Sequence, residues 1–455
     1  IWILCAVLRV LSPEYFAQMP VFGLSIPSIL AGILVGLLTV LLAARSPAKK
    51  AARVSPLAAV SGNASGYRPT KKAANTRIFK VETALGVHHA KASKKNLILM
   101  AGSFALSIIL FLSFSVTVDF MNHSLTPLRP WTADLSIISP DNSLSVDSGV
   151  LEELKENPAV KAAYGRMFAY DLPMEGAAEP KKADLLTYEE NQFGWAKEYL
   201  LEGSLDTVVN QPGTALAVYE PETTIQVGDT VTLDIGGKAQ QLQIAGMLST
   251  SPFGNANDTA LLICSEDTFR QFSGTSDYTI IDIQLTNKAT DEDVNAIQQM
   301  AGTSYTFSDE RMSNSSVRGT YYCFCLFIYG FLVLIALITV FNIINSIAMS
   351  VAARTKQYGA FRAIGLSTRQ LKKMIVAEAC VYTVTGSVIG TVLGLICNKK
   401  LFEMLVTSFW GDAWTIPWME LTVILLVVIL AVVFAVHGPV RKIHKMSIVD
   451  TISAQ

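Results

Sequence analysis

Charged residues are scarce in this chain. Of its 455 residues, 16% are charged and 51% are hydrophobic, which is far more apolar than a soluble protein of this size. Residues that build metal centres and disulfides are also few, with 5 histidines and 6 cysteines. Every cysteine except Cys264 lies in or at an apolar run, so no disulfide is expected within the polar part of the chain. These shortages exclude a disulfide-stapled secreted domain and argue against a metal site.

A phosphate-binding loop is missing as well. The sequence contains no G-x-x-x-x-G-K-S/T stretch. Paired acids occur at Glu152 and Glu153 and at Glu189 and Glu190, but no histidine or nucleophile accompanies them. General acid and base chemistry needs such companions, so a solvated surface is the better interpretation. We therefore expect no enzyme active site, no cofactor and no nucleotide site in the chain itself.

Long apolar runs are what the sequence has instead. Five of them are long enough to cross a bilayer core of about 30 Å. A sixth, at residues 1–11, is too short to span and starts without methionine, so we expect the chain to be truncated at its N terminus. The sequence thus predicts a multi-pass protein of the cell membrane. The five runs cover residues 27–44, 97–118, 324–349, 376–398 and 420–437.

The charges are segregated along the chain. Residues 45–95 hold 12 Lys and Arg against one acid, Glu82, whereas residues 120–320 hold 12 bases against 29 acids. Basic residues near the ends of spanning helices mark the cytoplasmic side of a membrane. We therefore predict that residues 45–95, 352–373 and 439–455 lie inside and that 120–320 lie outside.

One loop, at residues 350–373, stands out. Its sequence, SVAARTKQYGAFRAIGLSTRQLKK, carries six Lys and Arg and no acid. The apolar positions follow a helical spacing, which predicts an amphipathic helix over residues 354–366. Gly365 would end this helix and Ser367 would cap the next one. The apolar positions are Tyr358, Phe361, Ile364 and Leu366.

This basic loop and its flanks follow a spaced pattern, which begins at Asn345, continues through R-T-K from Arg354 and ends at Glu378. The pattern resembles the coupling segment of the FtsX/MacB/LolC permeases, the membrane subunits of mechanotransmitting ABC systems. Two positions differ, because Ala353 and Gln357 stand where the family usually has acids. The residues that match the family pattern are Asn345, Arg354, Thr355, Lys356, Gly359, Arg362, Ala363, Gly365 and Glu378.

The chain also repeats itself at an offset of 392 residues. The basic tail that begins at Pro47 matches the one that begins at Pro439, and each directly follows a long apolar run. Two homologous halves are therefore expected, the first of them incomplete. In the permeases that this chain resembles, such a tail closes each four-helix unit. The coupling helix of the first half would then precede residue 1.

Residues 120–320 alternate between strand and helix patterns, which predicts an α+β domain. Residues 227–233 and 242–248 read as two strands around a turn at Gly236 and Gly237. The V-G-D-x-V-x-L pattern of the first strand resembles the periplasmic core domain of MacB-like permeases. Further predicted elements are strands at 131–139 and 215–219 and helices at 148–157 and 290–300.

These patterns and resemblances together give the predicted fold class and its parts. The fold class is a membrane α-helical bundle of FtsX-like repeats with an extracytoplasmic α+β domain of the MacB periplasmic-core type. The parts are the end of a first repeat at 1–62, a basic cytoplasmic linker at 63–96, a membrane helix at 97–119, the extracytoplasmic domain at 120–320 and a second repeat at 321–455.

The resemblance implies the permease subunit of an ABC transporter. A separate ATPase dimer on the cytoplasmic side would bind ATP and Mg, and the output would be export or extraction of a peptide, a lipid or an antibiotic-like compound. A second class is a non-transporting regulator of cell-wall hydrolases. A third, ion-coupled secondary transport, would need charges at mid-membrane, of which the runs have almost none. The other expected partners are the bilayer and an extracytoplasmic protein or peptide, and nucleic acid is not one of them.

Small and polar residues inside the apolar runs indicate helix packing. Gly386, Gly390 and Gly394 recur every four residues, which lets two helix backbones approach closely in lipid. Asn342 and Asn345 are predicted to make hydrogen bonds from helix to helix.

The remaining prediction concerns the contact with the ATPase. Glu378, close to the inner interface, is expected to pair with a base of the loop. The residues predicted to couple the chain to the ATPase are Arg354, Thr355, Lys356, Gly359, Phe361, Arg362, Ala363 and Gly365.

Overall fold

A computed structural model gives the fold of most of the chain. The matched basic tails of the internal repeat extend into residues 52–79 and 446–455, which lie outside the described residues. The structure describes residues 6–7, 9–10, 26–51, 80–92, 94–124, 131–176, 180–221, 223–251 and 259–445.

The chain forms two compact units. The first, called the helical unit, consists of Ile1–Val116, Phe327–Lys399 and Ile416–Gln455. The second, called the mixed unit, consists of Thr117–Leu326 and Lys400–Thr415.

Helices account for all of the predicted membrane runs. Four described helices are long and apolar enough to span a membrane, and a fifth apolar helix, Ile26–Leu42, is shorter. A π-helical stretch, Glu403–Thr407, and a 3₁₀ turn, Lys197–Tyr199, complete the helical structure that is described. In chain order the helices are α1 (Ile26–Ala51), α2 (Val81–Ala92), α3 (Lys94–Ser124), α4 (Ser148–Lys155), α5 (Glu190–Ala196), α6 (Leu205–Asn210), α7 (Glu266–Ser273), α8 (Asp291–Ala301), α9 (Arg311–Ala353), α10 (Thr355–Ala363), α11 (Thr368–Phe402), α12 (Ser408–Trp410) and α13 (Trp418–Lys445).

The glycines of α11 pack against α3, as the sequence predicts. A Cβ atom on Gly386 would lie 2.7 Å from the carbonyl oxygen of Ala101, and one on Gly390 would lie 2.8 Å from the Cα of Ala105. One turn further, a Cβ on Gly394 would lie 2.9 Å from Cδ1 of Leu112 and 3.4 Å from the Cα of Ile109. The two backbones therefore approach more closely than any larger residue would allow.

Two sheets form the framework of the mixed unit. A four-stranded antiparallel sheet has the order β11-β1-β10-β2, and a seven-stranded sheet has the order β5-β8-β6-β9-β4-β3-β7. Because β7 also pairs with β8, six strands of the larger sheet close on themselves. The strands are β1 (Leu135–Ile138), β2 (Val160–Arg166), β3 (Phe168–Glu175), β4 (Lys182–Tyr188), β5 (Leu200–Gly203), β6 (Thr214–Val218), β7 (Thr230–Ile235), β8 (Lys238–Leu248), β9 (Thr259–Ser265), β10 (Ile280–Leu285) and β11 (Thr306–Asp309).

The core of the mixed unit lies between the two sheets. Ile137 and Ile283 of the smaller sheet share one apolar cluster with Leu185 and Leu262 of the larger sheet. The inner faces of the two sheets thus share one core, and a second apolar cluster, which includes Leu186 and Ile263, lies on the other face of the larger sheet.

The predicted hairpin and the helix predicted at 290–300 are confirmed. β7 and β8 pair from Ile235 opposite Lys238, and Gly236 and Gly237 have φ values of 62° and 78°. Two positive φ values are what a two-residue hairpin turn of this kind requires. The helix predicted at 290–300 is α8, and the side chain of Thr290 caps its first turn.

The strand predicted at 131–139 is shorter in the structure. Only Leu135–Ile138 is a strand. The carbonyl oxygen of Trp131 accepts a hydrogen bond from the hydroxyl of Tyr164, and that of Ala133 accepts one from Asn314 Nδ2 at 2.7 Å. These carbonyls are satisfied by side chains rather than by a neighbouring strand, so the ladder starts later than alternation in the sequence suggests.

Candidate functional site

The basic loop folds as a short helix, α10, between α9 and α11. Gly365 has a φ of 102°, in the region that favours glycine, and it ends the turn after α10. The backbone N–H of Gln370 donates to Ser367 Oγ at 3.3 Å, and the N–H of Ser367 donates to Gln370 Oε1 at 2.9 Å. This reciprocal cap starts α11. The glycine stop and the serine cap are confirmed, and the helix predicted over 354–366 is present but shorter, from Thr355 to Ala363.

A buried carboxylate, Glu378 of α11, holds the start of α10 in place. Arg354 Nη1 lies 3.1 Å from Glu378 Oε1. The hydroxyls of Ser350 and Tyr382 donate to the same oxygen at 3.0 and 2.9 Å, and that of Tyr358 donates to Oε2 at 3.4 Å. We call these five residues the Glu378 cluster. It joins the last turn of α9, the loop helix and α11, and it confirms that Glu378 pairs with a base of the loop.

The Glu378 cluster supplies hydrogen-bond partners to two charges that are costly to bury. The side chains of Arg354 and Glu378 are only 13% and 6% exposed. A buried ion pair is tolerated when further hydrogen bonds satisfy its atoms, and here three hydroxyls do so. Burial, followed by the negative charge of Glu378, raises the pKa of Tyr358. The Tyr358 hydroxyl therefore keeps its proton and remains a donor.

Helix α2 packs onto the same region. Arg354 Nη2 donates to the carbonyl oxygen of His89 at 3.3 Å, and the His89 ring lies 6.0 Å from the ring of Phe361. A Cβ atom on Gly86 would lie 2.3 Å from the carbonyl oxygen of Met374, so α2 and α11 are in backbone contact. Thus Arg354 connects three helices.

His89 sits in this contact as a neutral ring. Burial, and after it the charge of Arg354, lower the pKa of His89 from its usual 6.5. Its Nδ1 is buried and has no hydrogen-bond partner among the described residues. An uncharged imidazole fits such a position, since an unpaired buried cation would be much more costly.

The predicted coupling residues differ in how exposed they are. Arg354 and Gly359 face the interior of the helical unit, and Phe361 and Arg362 are half-buried. Gly365 is exposed. Because Arg354 binds Glu378, its guanidinium is directed into the chain's own bundle, and its role in coupling to an ATPase stays a prediction. Helix α10 also contains Thr355, Lys356 and Ala363.

The two intramembrane asparagines differ. Asn342 Nδ2 donates to Ser103 Oγ, so the predicted bond between α9 and α3 is confirmed. The prediction is wrong for Asn345, which is exposed and makes no hydrogen bond to any residue that the structure describes. Asn345 follows Asn342 by three residues, yet it is exposed and lies at the edge of the contact with α3.

Three contributors to the site are absent from the sequence prediction, namely Ser350, Tyr382 and His89. A signal for two of them exists, because Ser350 precedes Arg354 by four residues and Tyr382 follows Glu378 by four. Residues at this spacing are neighbours on one helix face. No such local signal exists for His89, which is 265 residues before Arg354.

The Glu378 cluster has no room for a ligand. The cavity next to Glu378, lined also by Ile347 and Ala379, has a volume of about 10 Å³. That is at most enough for one water molecule. The cluster is therefore a structural joint, not a binding pocket.

A known protein family matches the part of the chain that contains the Glu378 cluster. The FtsX-like permease C-terminal family matches residues 329–448. A protein of Methanocaldococcus jannaschii, described as an uncharacterized ABC transporter permease, is 24% identical over 256 residues. That alignment covers 53% of this chain and 61% of the relative, so the chain spans less than two thirds of that protein's length.

Two solved structures are similar over part of the chain. The periplasmic region of MacB from Actinobacillus actinomycetemcomitans has 9% identity and a TM-score of 0.31, with 41% of this chain and 93% of that one covered. The extracellular domain of the noncanonic ABC-type transporter YknZ from Gram-positive bacteria has 14% identity and a TM-score of 0.27, with 37% and 89% covered.

The predicted resemblance to FtsX-like permeases of ABC transporters is therefore confirmed by the family match and by the archaeal relative. The fold class is confirmed by long apolar helices and an α+β unit in one chain. The long apolar helices and the permease match are those of a multi-pass membrane protein. The extracytoplasmic location of residues 120–320 stays a prediction.

Proposed function

We propose that this chain is the permease subunit of an ABC transporter and that it transmits the motion of a partner ATPase dimer through α10 to its extracytoplasmic domain. The output is export or extraction of a peptide, a lipid or an antibiotic-like compound. The observation that carries the proposal is the buried bond between Arg354 and Glu378, at 3.1 Å. A helix fixed in this way moves together with the helices that hold it.

The outer face of α10 and of the turn after it is available to a partner. Gln357 is exposed, and Ile364 is 77% exposed. Tyr358, on the opposite face, is fully buried. The loop thus has one side anchored in the bundle and one side open. A push on the open side would be passed to α9 and α11 through the Glu378 cluster.

Helix α9 is long enough to carry such a motion. It has 43 residues, which corresponds to about 65 Å at 1.5 Å per residue. The apolar core of a bilayer takes up about 30 Å of that length. The same continuous helix therefore starts beside the strands of the mixed unit and ends at the basic loop.

The first turn of α9 is bound within the mixed unit. Arg311 pairs with Asp309 at 2.7 Å and with Asp291 at 2.8 Å. Asn314 donates to the carbonyl oxygen of Ala133. Near the end of α3, Asn122 accepts a hydrogen bond from the hydroxyl of Tyr321 at 3.4 Å. Displacement of the helices would therefore reach the α+β fold without passing a flexible tether in α9.

Among the proposed substrates, a cationic peptide fits the charge of residues 120–320 best. Residues 120–320 hold 29 acids against 12 bases, and a surface of one sign raises the local concentration of ligands of the other sign. Binding of a cationic peptide to this segment should therefore weaken as salt is added, because exposed charges are screened over about 10 Å at 0.1 M salt.

Replacement of Ile364 by Asp tests the contact with the ATPase. Because Ile364 is 77% exposed, the variant should insert and fold normally. We expect at least a tenfold loss of the ATPase that copurifies with the chain, since a buried unpaired charge opposes docking by several kcal/mol. The measurement is copurification of the coexpressed ATPase, together with the ATP hydrolysis rate of the complex.

Met312 supplies a matched control. It is 76% exposed and lies at the other end of α9. Met312→Asp should leave the copurified ATPase unchanged. Equal amounts of ATPase with Ile364→Asp and with the unmodified chain would remove this loop from the proposed mechanism.

A further inference from the structure

A groove runs between α2 and α11 at the basic end of the helical unit. Its volume is about 880 Å³, within the range of about 300 to 1000 Å³ that is typical of small-molecule sites. Val87 and Lys91 line it from α2, at a spacing of four residues, and one face of α11 forms the other wall. The groove does not include the Glu378 cluster.

One end of the groove is basic. Lys91, Arg369, Lys372 and Lys373 line it. The acid that faces them is Glu82 of α2, which lies 3.6 Å from Lys373. Within the described part of the chain, the other three cations have no ion pair. This end of the groove therefore has a positive charge that its own acids do not balance.

The rest of the groove is apolar. Val376, Cys380 and Val384 follow one another along α11 at the spacing of one helix face. From Val376 to the last lining residue, Thr385, the helix rises by about 14 Å. That is about half of a 30 Å bilayer core, the depth of one leaflet. The basic end and the apolar part thus match the two parts of one amphiphile.

We propose that this groove binds an anionic phospholipid of the cytoplasmic leaflet, with its phosphate at Arg369 and Lys372 and an acyl chain along Val376, Cys380 and Val384. Charge complementarity selects an anionic headgroup, and anionic lipids are the negative component of the cytoplasmic leaflet. The lipid would brace α2 against α11. The inference rests on the groove alone, so it stands whether or not an ATPase docks at α10.

Native mass spectrometry of the full chain in detergent can test the site with dioleoyl phosphatidylglycerol as the probe. The unmodified chain should retain one phosphatidylglycerol at a saturable site. The double variant Arg369→Glu and Lys372→Glu should bind it at least thirtyfold more weakly, since each base lost removes about 1 kcal/mol and the added acids also repel the phosphate. Dioleoyl phosphatidylcholine, with the same chains, should not be retained at this site.

Two further variants separate the parts of the site. Lys94 and Lys95 are exposed at the start of α3 and do not line the groove. Reversal of both to Glu should leave phosphatidylglycerol binding unchanged. Cys380→Trp fills the apolar part and retains all four bases, so it should lower the affinity for phosphatidylglycerol while a melting curve in detergent stays unchanged.

Several results would overturn the proposal. Retention of phosphatidylcholine as strong as that of phosphatidylglycerol would show that charge does not select the ligand. Binding of free glycerol phosphate as tight as that of the lipid would show a soluble anion site instead. Unchanged lipid affinity in Cys380→Trp, or in the double variant at Arg369 and Lys372, would place the lipid elsewhere.

Discussion

At Glu378 a single carboxylate receives a guanidinium and three hydroxyls, and none of these groups is close to it in sequence except Tyr382. Ser350 and Arg354 come from the end of α9 and the loop, and Tyr358 comes from α10. Each group alone would be an unsatisfied polar group inside an apolar bundle. Together they fix the angle at which the loop leaves α9.

Removal of one member of the Arg354–Glu378 ion pair should lower the free energy of unfolding more than removal of both. Glu378→Ala leaves Arg354 buried without its anion, and we expect a loss of about 3 to 5 kcal/mol in the free energy of unfolding. The double variant Arg354→Met with Glu378→Leu should recover most of this loss, because similar volume is kept and no charge is buried. Unfolding by SDS titration in mixed micelles measures both. Equal stability of Glu378→Ala and the unmodified chain would show that the ion pair is not a structural joint.

At the level of secondary-structure elements, α3 and α11 form a close helix pair that a repeated glycine spacing predicts. Gly386, Gly390 and Gly394 form the contact stripe. Near its end, Asn398 Nδ2 donates to the carbonyl oxygen of Leu112 at 2.7 Å. Close backbone contact and an interhelical hydrogen bond are the two devices that hold helices together in lipid, where the hydrophobic effect does not.

Gly390→Leu should break this contact. Its Cβ alone would lie 2.8 Å from the Cα of Ala105, and overpacking of this kind typically costs about 1 to 3 kcal/mol. We expect a lower melting temperature in detergent. Gly102→Leu is the control, because a Cβ at Gly102 meets nothing within 4 Å. Equal melting temperatures of the two variants would contradict the packing role of the stripe.

At the level of the whole molecule, transmission of motion requires that α3 and α9 be stiff. Helix α9 has no proline between its first turn in the mixed unit and its end at the basic loop, and proline is the commonest cause of a sharp kink. Both α3 and α9 exceed the roughly 20 residues that a bilayer core requires. A stiff pair transmits displacement that a flexible chain would absorb.

Two insertions that differ only in stiffness test this idea. Seven Gly and Ser residues, placed after Thr126 and again after Asn314, should preserve folding and ATP hydrolysis but abolish the export or resistance phenotype, because such linkers behave as random coils. Seven helix-forming Ala, Glu and Lys residues at the same positions should retain part of it. Full activity of the Gly and Ser variant in a complemented deletion strain would refute mechanical transmission.

Much of the fold could be predicted from sequence because its signals are local. The apolar runs, the β7–β8 turn at Gly236 and Gly237 and the stop at Gly365 each depend on a few consecutive residues. The failures are positions where a distant group intervenes. Residues 131–133 are predicted as part of a strand, but the carbonyl oxygen of Trp131 accepts a hydrogen bond from Tyr164. That of Ala133 accepts one from Asn314. Asn345 has the same residue type as Asn342, but only Asn342 faces α3.

The amino-acid sequence alone predicts a membrane protein, four of its spanning helices, the presence of α10 with its glycine stop, and the family resemblance, since hydropathy, helix caps and glycine φ preferences act over a few residues. The packing of the helices determines which groups the charges of the loop contact. Arg354 belongs to a basic run that reads as a solvent-facing patch, yet it turns inward because Glu378, two helices away in the fold, offers it an anion. Lys372 and Arg369, from the same run, line the groove with α2. Sequence fixes the sign of a charge, whereas the packing of the helices fixes what each charge faces.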